Sequence, residues 1–224
     1  MAQNPKNSKN VAPQENEVDV AMSKTEQFFT DKGNQKWVMY GALAIVLVVA
    51  AIFGFIKMGE VNTEKAQQNI WEAEQLFSQG EYAQALEGFE EVIDEYGSTP
   101  TGNTAKAYAG LCQKNLGNYA EAISLLKDFS GKDNVMAPAI LSALGDCYVD
   151  QETPEYTKAA ETFIKAAKAA DNAMFTPLFL KKAGLAYEAA EDNASALKAY
   201  QNIKDNWAET SIAASIDKYI ERVK

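Results

Sequence analysis

Two cysteines, a single arginine (Arg222) and no histidine narrow the chemistry open to this 224-residue chain. Histidine is the commonest general base and metal ligand, and it is missing. Cys112 and Cys147 alone do not furnish a zinc site. One stretch, GSTPTGNT from Gly97 to Thr104, has the glycine spacing of a phosphate-binding loop. Asn103 stands where a lysine must reach the phosphates, and the stretch follows a predicted helix instead of a strand. Neither a G-x-S-x-G nor a G-x-G-x-x-G motif occurs. Adjacent acids such as Glu90 and Glu91 read as solvated helix surface. No catalytic, cofactor-binding or metal-binding residue is expected, and the chain reads as non-enzymatic. Residues 58–224 carry 15 basic and 26 acidic side chains, with no basic stripe, which argues against nucleic acid.

The elements that would position a binding surface are periodic. Ala85, Ala122, Ala159 and Ala196 are 37 residues apart, and so are Phe89, Leu126, Phe163 and Tyr200. Tyr82, Tyr119 and Tyr156 keep the same interval, with Asn193 in the fourth slot. An aromatic, a small residue and a large residue at offsets 0, 3 and 7 share one helix face. The small residue admits a neighbouring helix and the large one fills the gap beside it. A fixed period of this size marks a solenoid. A second helix precedes each copy and carries Gly110, Gly145 and Gly184, with Ala73 in the equivalent place of the first. The run SIAASIDKYIERVK predicts a C-terminal capping helix, which an open-ended array needs. Cys112 and Cys147 each follow a helix glycine by two, so equivalent helices place them too far apart for a disulfide; two buried free thiols are expected.

On these residues the chain resembles the tetratricopeptide repeat (TPR). LGDCY, Leu144 to Tyr148, and GNYAEAISLL, from Gly117, follow the family's Leu-Gly-x2-Tyr and Gly-x-Tyr-x2-Ala patterns. Repeat three departs from them through a loop two residues longer before Tyr156. The resemblance implies an all-α fold: a right-handed α-solenoid of four repeats at about 62–97, 101–132, 135–170 and 174–207, with a cap at 209–223. It implies a ligand groove lined by the first helix of each repeat. Carried over by position, the groove holds Leu111, Lys114 and Asn115, then Asp146, Val149 and Asp150, then Leu185, Glu188 and Ala189, with Lys181 beside them. This mix suits a protein or peptide ligand. The ring of Lys, Asn and Arg that clamps a terminal carboxylate is absent.

Ahead of the repeats lies WVMYGALAIVLVVAAIFGFI, Trp37 to Ile56: 20 uncharged residues between Lys36 and Lys57. Such a run spans a bilayer core of roughly 30 Å as a helix. Trp37 and Tyr40 fall where an interfacial aromatic belt would lie. A signal peptide has a shorter apolar core and a shorter lead-in, so an uncleaved single-pass anchor at 37–56 is expected. Lys24, Lys32 and Lys36 before the span, against Lys57 and Lys65 after it, put residues 1–36 inside and 57–224 outside. Residues 1–17 are polar and expected to be disordered. Ser23 and Glu26 form a capping-box signature for a short helix that reads as a lead-in to the span, with cytoplasmic docking as its alternative. Between the span and the repeats no proline occurs, so the sequence allows one helix to about Gln79.

The whole layout, with SKTEQFF before the anchor, IDEYGST, LKKAGLAYE and DKYIERVK, resembles the YfgM-like ancillary subunits of the SecYEG translocon, of the type found in Bacteroidota. That resemblance implies a bacterial inner-membrane protein with a cytoplasmic N-terminus and a periplasmic TPR domain. It implies a non-enzymatic role beside the translocon. The implied partners are SecYEG, a membrane-anchored prolyl-isomerase-like periplasmic chaperone, emerging secretory or outer-membrane proteins, and the lipid bilayer through the anchor. The alternatives are a periplasmic scaffold in envelope assembly or division, and a membrane-anchored stress regulator.

Overall fold

The computed structural model describes residues 35–224, apart from the side chains at 35, 37, 38, 42 and 55–64. The predicted helix from Ser23, the tail around it, and the side chains of the anchor residues Trp37 and Ile56 lie outside the described residues. Among the described residues the chain is helical throughout: α1 Gln35–Gln79, α2 Tyr82–Tyr96, α3 Pro100–Asn115, α4 Tyr119–Asp128, α5 Met136–Asp150, α6 Tyr156–Ala170, α7 Thr176–Ala189, α8 Asn193–Asn206 and α9 Asp217–Arg222, with a 3-10 turn at Ala213–Ser215.

The chain divides into two units, Met1–Met58 and Gly59–Lys224. In the first, the large apolar side chains from Met39 to Phe53 are each 55–66% exposed. They surround α1 on every side, so this stretch has no polar face of the kind a surface helix of a soluble domain shows. Among the described residues no helix is long and apolar enough to cross a membrane. The 20-residue run read from the sequence includes side chains outside them.

In the second unit each helix packs on the next, and α3 also touches α5. Ala85, Ala122, Ala159 and Ala196 have no exposed surface at all, and Phe89, Leu126, Phe163 and Tyr200 are buried beside them. The helix glycines explain how the pairs close. A Cβ on Gly110 would lie 2.7 Å from Leu126, one on Gly145 2.6 Å from Phe163, and one on Gly184 2.3 Å from Tyr200. Each glycine therefore admits the large residue of the following helix. The first repeat solves the same problem in reverse. Ala73 keeps its methyl group, and the glycine moves to the partner helix as Gly88, whose Cβ would meet that of Ala73 at 2.9 Å.

Local chemistry sets the ends of the helices. The turns after the first helices use left-handed backbone at Gly80 (φ 83°), Gly117 (φ 84°) and Glu191 (φ 60°), again at the 37-residue interval. Pro154 occupies that place in repeat three, where the longer loop removes the need for a positive φ. The stretch with phosphate-loop spacing is a helix–helix corner. Thr99 accepts a hydrogen bond from the Gly102 amide at 3.0 Å and caps α3, with Pro100 in its first turn. Asn103 is a structural clamp: its amide donates to the Ser130 carbonyl, and its oxygen accepts from the Ser130 amide, both at 3.0 Å.

The C-terminal run departs from the single capping helix expected over 209–223. A 3-10 turn at Ala213–Ser215 precedes the short α9. Hydroxyls compete with helix formation there: Thr210 Oγ1 donates to the Trp207 carbonyl at 2.7 Å, and Ser215 Oγ to that of Ile212 at 3.3 Å. Ile216, Ile220 and Val223 nevertheless bury against the last repeat, together with Tyr200 and Ile203.

Candidate protein-binding groove

The first helices α3, α5 and α7 carry the residues expected to meet a ligand, and the structure sorts them into three groups. Asp146, Val149, Leu185 and Ala189 come together. With Tyr156, Phe163 and Lys182 they line an open cavity of about 200 Å³ between α5, α6 and α7. Leu185 is 41% exposed, large for a leucine inside a repeat array, so it presents apolar surface to an incoming group.

The cation of this cavity is Lys182, which the sequence pattern did not single out. Its ammonium donates to both oxygens of Asp146 at 2.9 Å and to Ser142 Oγ at 3.2 Å. It also stands 5.3 Å from the centroid of the Phe163 ring, so the ring face shares in holding its charge. A signal was present in the repeats. Lys182 lies two residues before Gly184, as Tyr108 does before Gly110, and Tyr108 stacks on Phe89 with ring centroids 5.2 Å apart. This helix position covers the large residue of the preceding repeat in both places.

A second group faces the cap instead. Lys181 lies 4.8 Å over the Tyr219 ring. Glu188 accepts two hydrogen bonds from Arg222, each 2.7 Å, and one from the Tyr200 hydroxyl at 2.5 Å. The lone arginine thus pairs bidentately with a carboxylate read from the sequence as ligand-facing. In this structure both candidates contact the last helix.

The third group belongs to helix surface and packing. Leu111 packs against the buried cluster of repeats two and three. Asn115 donates to the Leu111 carbonyl at 2.7 Å within its own helix. Lys114 and Asp150 do not line the cavity, but with Asp146 their charges reach the Cys147 thiol. That thiol and Cys112 are both buried and free. Burial lifts Cys112 to about 12 and Cys147 to about 11, the latter partly offset by Lys114, so neither is a ready nucleophile at neutral pH.

Burial raises the Glu188 carboxyl, but hydrogen bonds from Arg222 and Tyr200 and the charge of Arg222 together hold it below its ordinary 4.5. A lowered pKa in the folded state gives stability that is complete above 4.5 and fades as pH falls through the folded value. Acidification below pH 4.5 is therefore expected to lower the thermal midpoint of the protein more than that of an Arg222→Ala variant. Parallel melting curves across this range check it. Equal slopes would show that Glu188 does not hold the cap.

The arrangement of successive paired helices matches known solved structures. Two chains of a kinesin-light-chain-like protein from Podosopora anserina, built of nearly identical TPR-like repeats, superpose with a TM-score of 0.54. The fold is TPR-like. The identity is 14%, with 71% of this chain covered and 84% and 85% of the two others, so the likeness concerns the fold alone. No family model matches the sequence, and no curated protein does.

Proposed function

We propose that the repeat domain is a non-enzymatic scaffold that binds a protein chain through the groove at α5 and α7. The observation that carries this reading is the cavity where exposed Leu185 and half-buried Val149 flank the Lys182–Asp146 pair above Phe163. Apolar walls with a few fixed polar groups suit one bulky side chain and the peptide groups beside it.

The finer reading places this scaffold at a membrane. The run Trp37–Ile56 would act as a single-pass anchor, supported by its uncharged length and by the absence of a polar face on α1 between Met39 and Phe53. Tethering raises the effective concentration of weak contacts near the membrane. On the sequence resemblance, the host would be the Sec translocon of a bacterial inner membrane, with the repeats on the periplasmic side. The ligand would then be an emerging chain or a prolyl-isomerase-like chaperone.

Affinity purification from the native membrane in mild detergent, with a photo-crosslinker at position 185, tests both levels. Translocon subunits crosslinked there support the whole reading. Crosslinks to envelope-assembly or division proteins would keep the groove and replace the host. Leu185→Asp should weaken capture of the crosslinked partner at least tenfold by placing a charge in the apolar wall. Undiminished capture with this variant would remove the groove from the proposal.

A further inference from the structure

The C-terminal turns of α7 carry a charge problem of their own. Leu185, Ala186 and Ala189 line the groove there, and Glu188 lies among them in the sequence. A helix ends in unpaired carbonyls at the negative end of its dipole, so cations stabilise its last turn and carboxylates oppose it. α7 has no basic residue in its last turn. Lys181 and Lys182 lie about two turns back and are engaged with Tyr219 and Asp146. Glu191 and Asp192 follow at once, both exposed, and Lys198 reaches Asp192 from α8. Left to itself, this end of α7 gathers negative charge against its own dipole.

Arg222 supplies the missing cation from outside the helix. Its Nε and Nη2 donate to the two oxygens of Glu188, each at 2.7 Å. The Glu188 side chain is 19% exposed, so solvent screens this pair less than one at an open surface. The guanidinium also stands 4.8 Å over the Tyr219 ring, which packs 5.4 Å from that of Tyr200, so its direction is fixed from behind. Past Glu188 the chain leaves the helix. The Ala190 amide still bonds back to the Ala186 carbonyl at 3.0 Å, and then Glu191 takes left-handed backbone at φ 60°. The turn that carries part of the groove wall is thus the last one before a reversal, and Arg222 grips it.

We propose that Arg222 is a positioning residue for the groove. By neutralising Glu188 it keeps the last turn of α7 helical, and so holds Leu185, Ala186 and Ala189 in the arrangement a partner meets. Its effect on binding rests on the groove reading above, whereas its effect on α7 does not. Arg222 lines no part of the groove cavity and acts through Glu188 alone. The cap thereby serves the binding surface from behind, and affinity in the groove depends on a residue that no partner touches.

The test follows hydrogen exchange by mass spectrometry, on the full chain in detergent micelles. In Arg222→Ala the amides of residues 186–190 should exchange roughly tenfold faster, with those of α3 and α4 unchanged. Arg222→Lys should recover part of the protection, because the charge returns without the bidentate geometry. Adding Glu188→Gln to Arg222→Ala should recover most of it, since the carboxylate that opposes the dipole is gone. Packing lost with the arginine would not return that way. Lys204→Gln, which breaks the ion pair with Asp217 and loosens the cap elsewhere, should leave these amides within about twofold of the unaltered chain. The proposal is overturned if Arg222→Ala leaves residues 186–190 unchanged, if Glu188→Gln does not restore them, or if Lys204→Gln has as large an effect. Equal acceleration in α3 and α4 overturns it too, because the cap would then hold the array as a whole. Capture by a photo-crosslinker at position 185 should fall several-fold in Arg222→Ala and return in the double variant. Faster exchange with undiminished capture would overturn the link to binding. If the unaltered chain captures nothing at 185, the groove reading falls, and the exchange pattern still decides the role of Arg222.

Discussion

Phe163→Ala should destabilise the repeat domain by about 3–5 kcal/mol, as expected when a large buried ring is deleted. The ring is 2% exposed. It fills the space left open by Gly145, whose missing Cβ would lie 2.6 Å away, so that glycine has no side chain to collapse into the gap. Its face also supports the Lys182 ammonium at 5.3 Å, and its edge lines the groove cavity. The substitution therefore acts twice. It opens a cavity in the core of repeats two and three, and it loosens the cation that holds Asp146. Urea unfolding of the full chain in detergent, followed by circular dichroism, reads the first effect. Phe163→Leu should retain much of the stability but lose the ring contact with Lys182. A loss below 1 kcal/mol for Phe163→Ala would mean the ring is not packed as described.

Gly184→Ala should also destabilise, by about 1–3 kcal/mol, against the ordinary preference for alanine in a helix interior. Helix propensity alone favours the change by roughly 0.5–1 kcal/mol. Sterics win because the new methyl group would meet Tyr200 ring atoms at 2.3, 2.5 and 2.9 Å. The ring cannot swing aside easily: it is fully buried, and its hydroxyl is tied to Glu188, which Arg222 holds in turn. The cost should shrink when Tyr200 is already alanine, since the clash disappears with the ring. A double-mutant cycle measures this coupling. Additive effects would place the strain elsewhere.

These two predictions rest on positions visible in the sequence. The 37-residue interval marked Phe163, Tyr200 and their glycines because packing of neighbouring helices repeats with the chain. What the interval could not convey is which neighbour a side chain meets. Lys181 and Lys182 are adjacent in sequence but about 100° apart around α7. One reaches the cap and the other the groove. Glu188 has the position of a groove residue in a repeat followed by another repeat. Here it is followed by α9, and Arg222 takes it. Gly88 shows the opposite case. Its compensation for Ala73 was readable as a missing glycine in one helix and an extra one in the next, once the two were known to touch.

The cap has a consequence for the open end of the repeat array. Each first helix leans on the repeat before it, as Lys182 of α7 reaches back to Asp146 of α5. Arg222 of α9 reaches back to Glu188 of α7 in the same manner. The cap thus occupies the place that the first helix of a further repeat would take. Ile216, Ile220 and Val223 thereby cover the apolar face of the last repeat, as a terminal cap of a solenoid does. Six residues of α9 and one guanidinium turn an open apolar end into a solvated one.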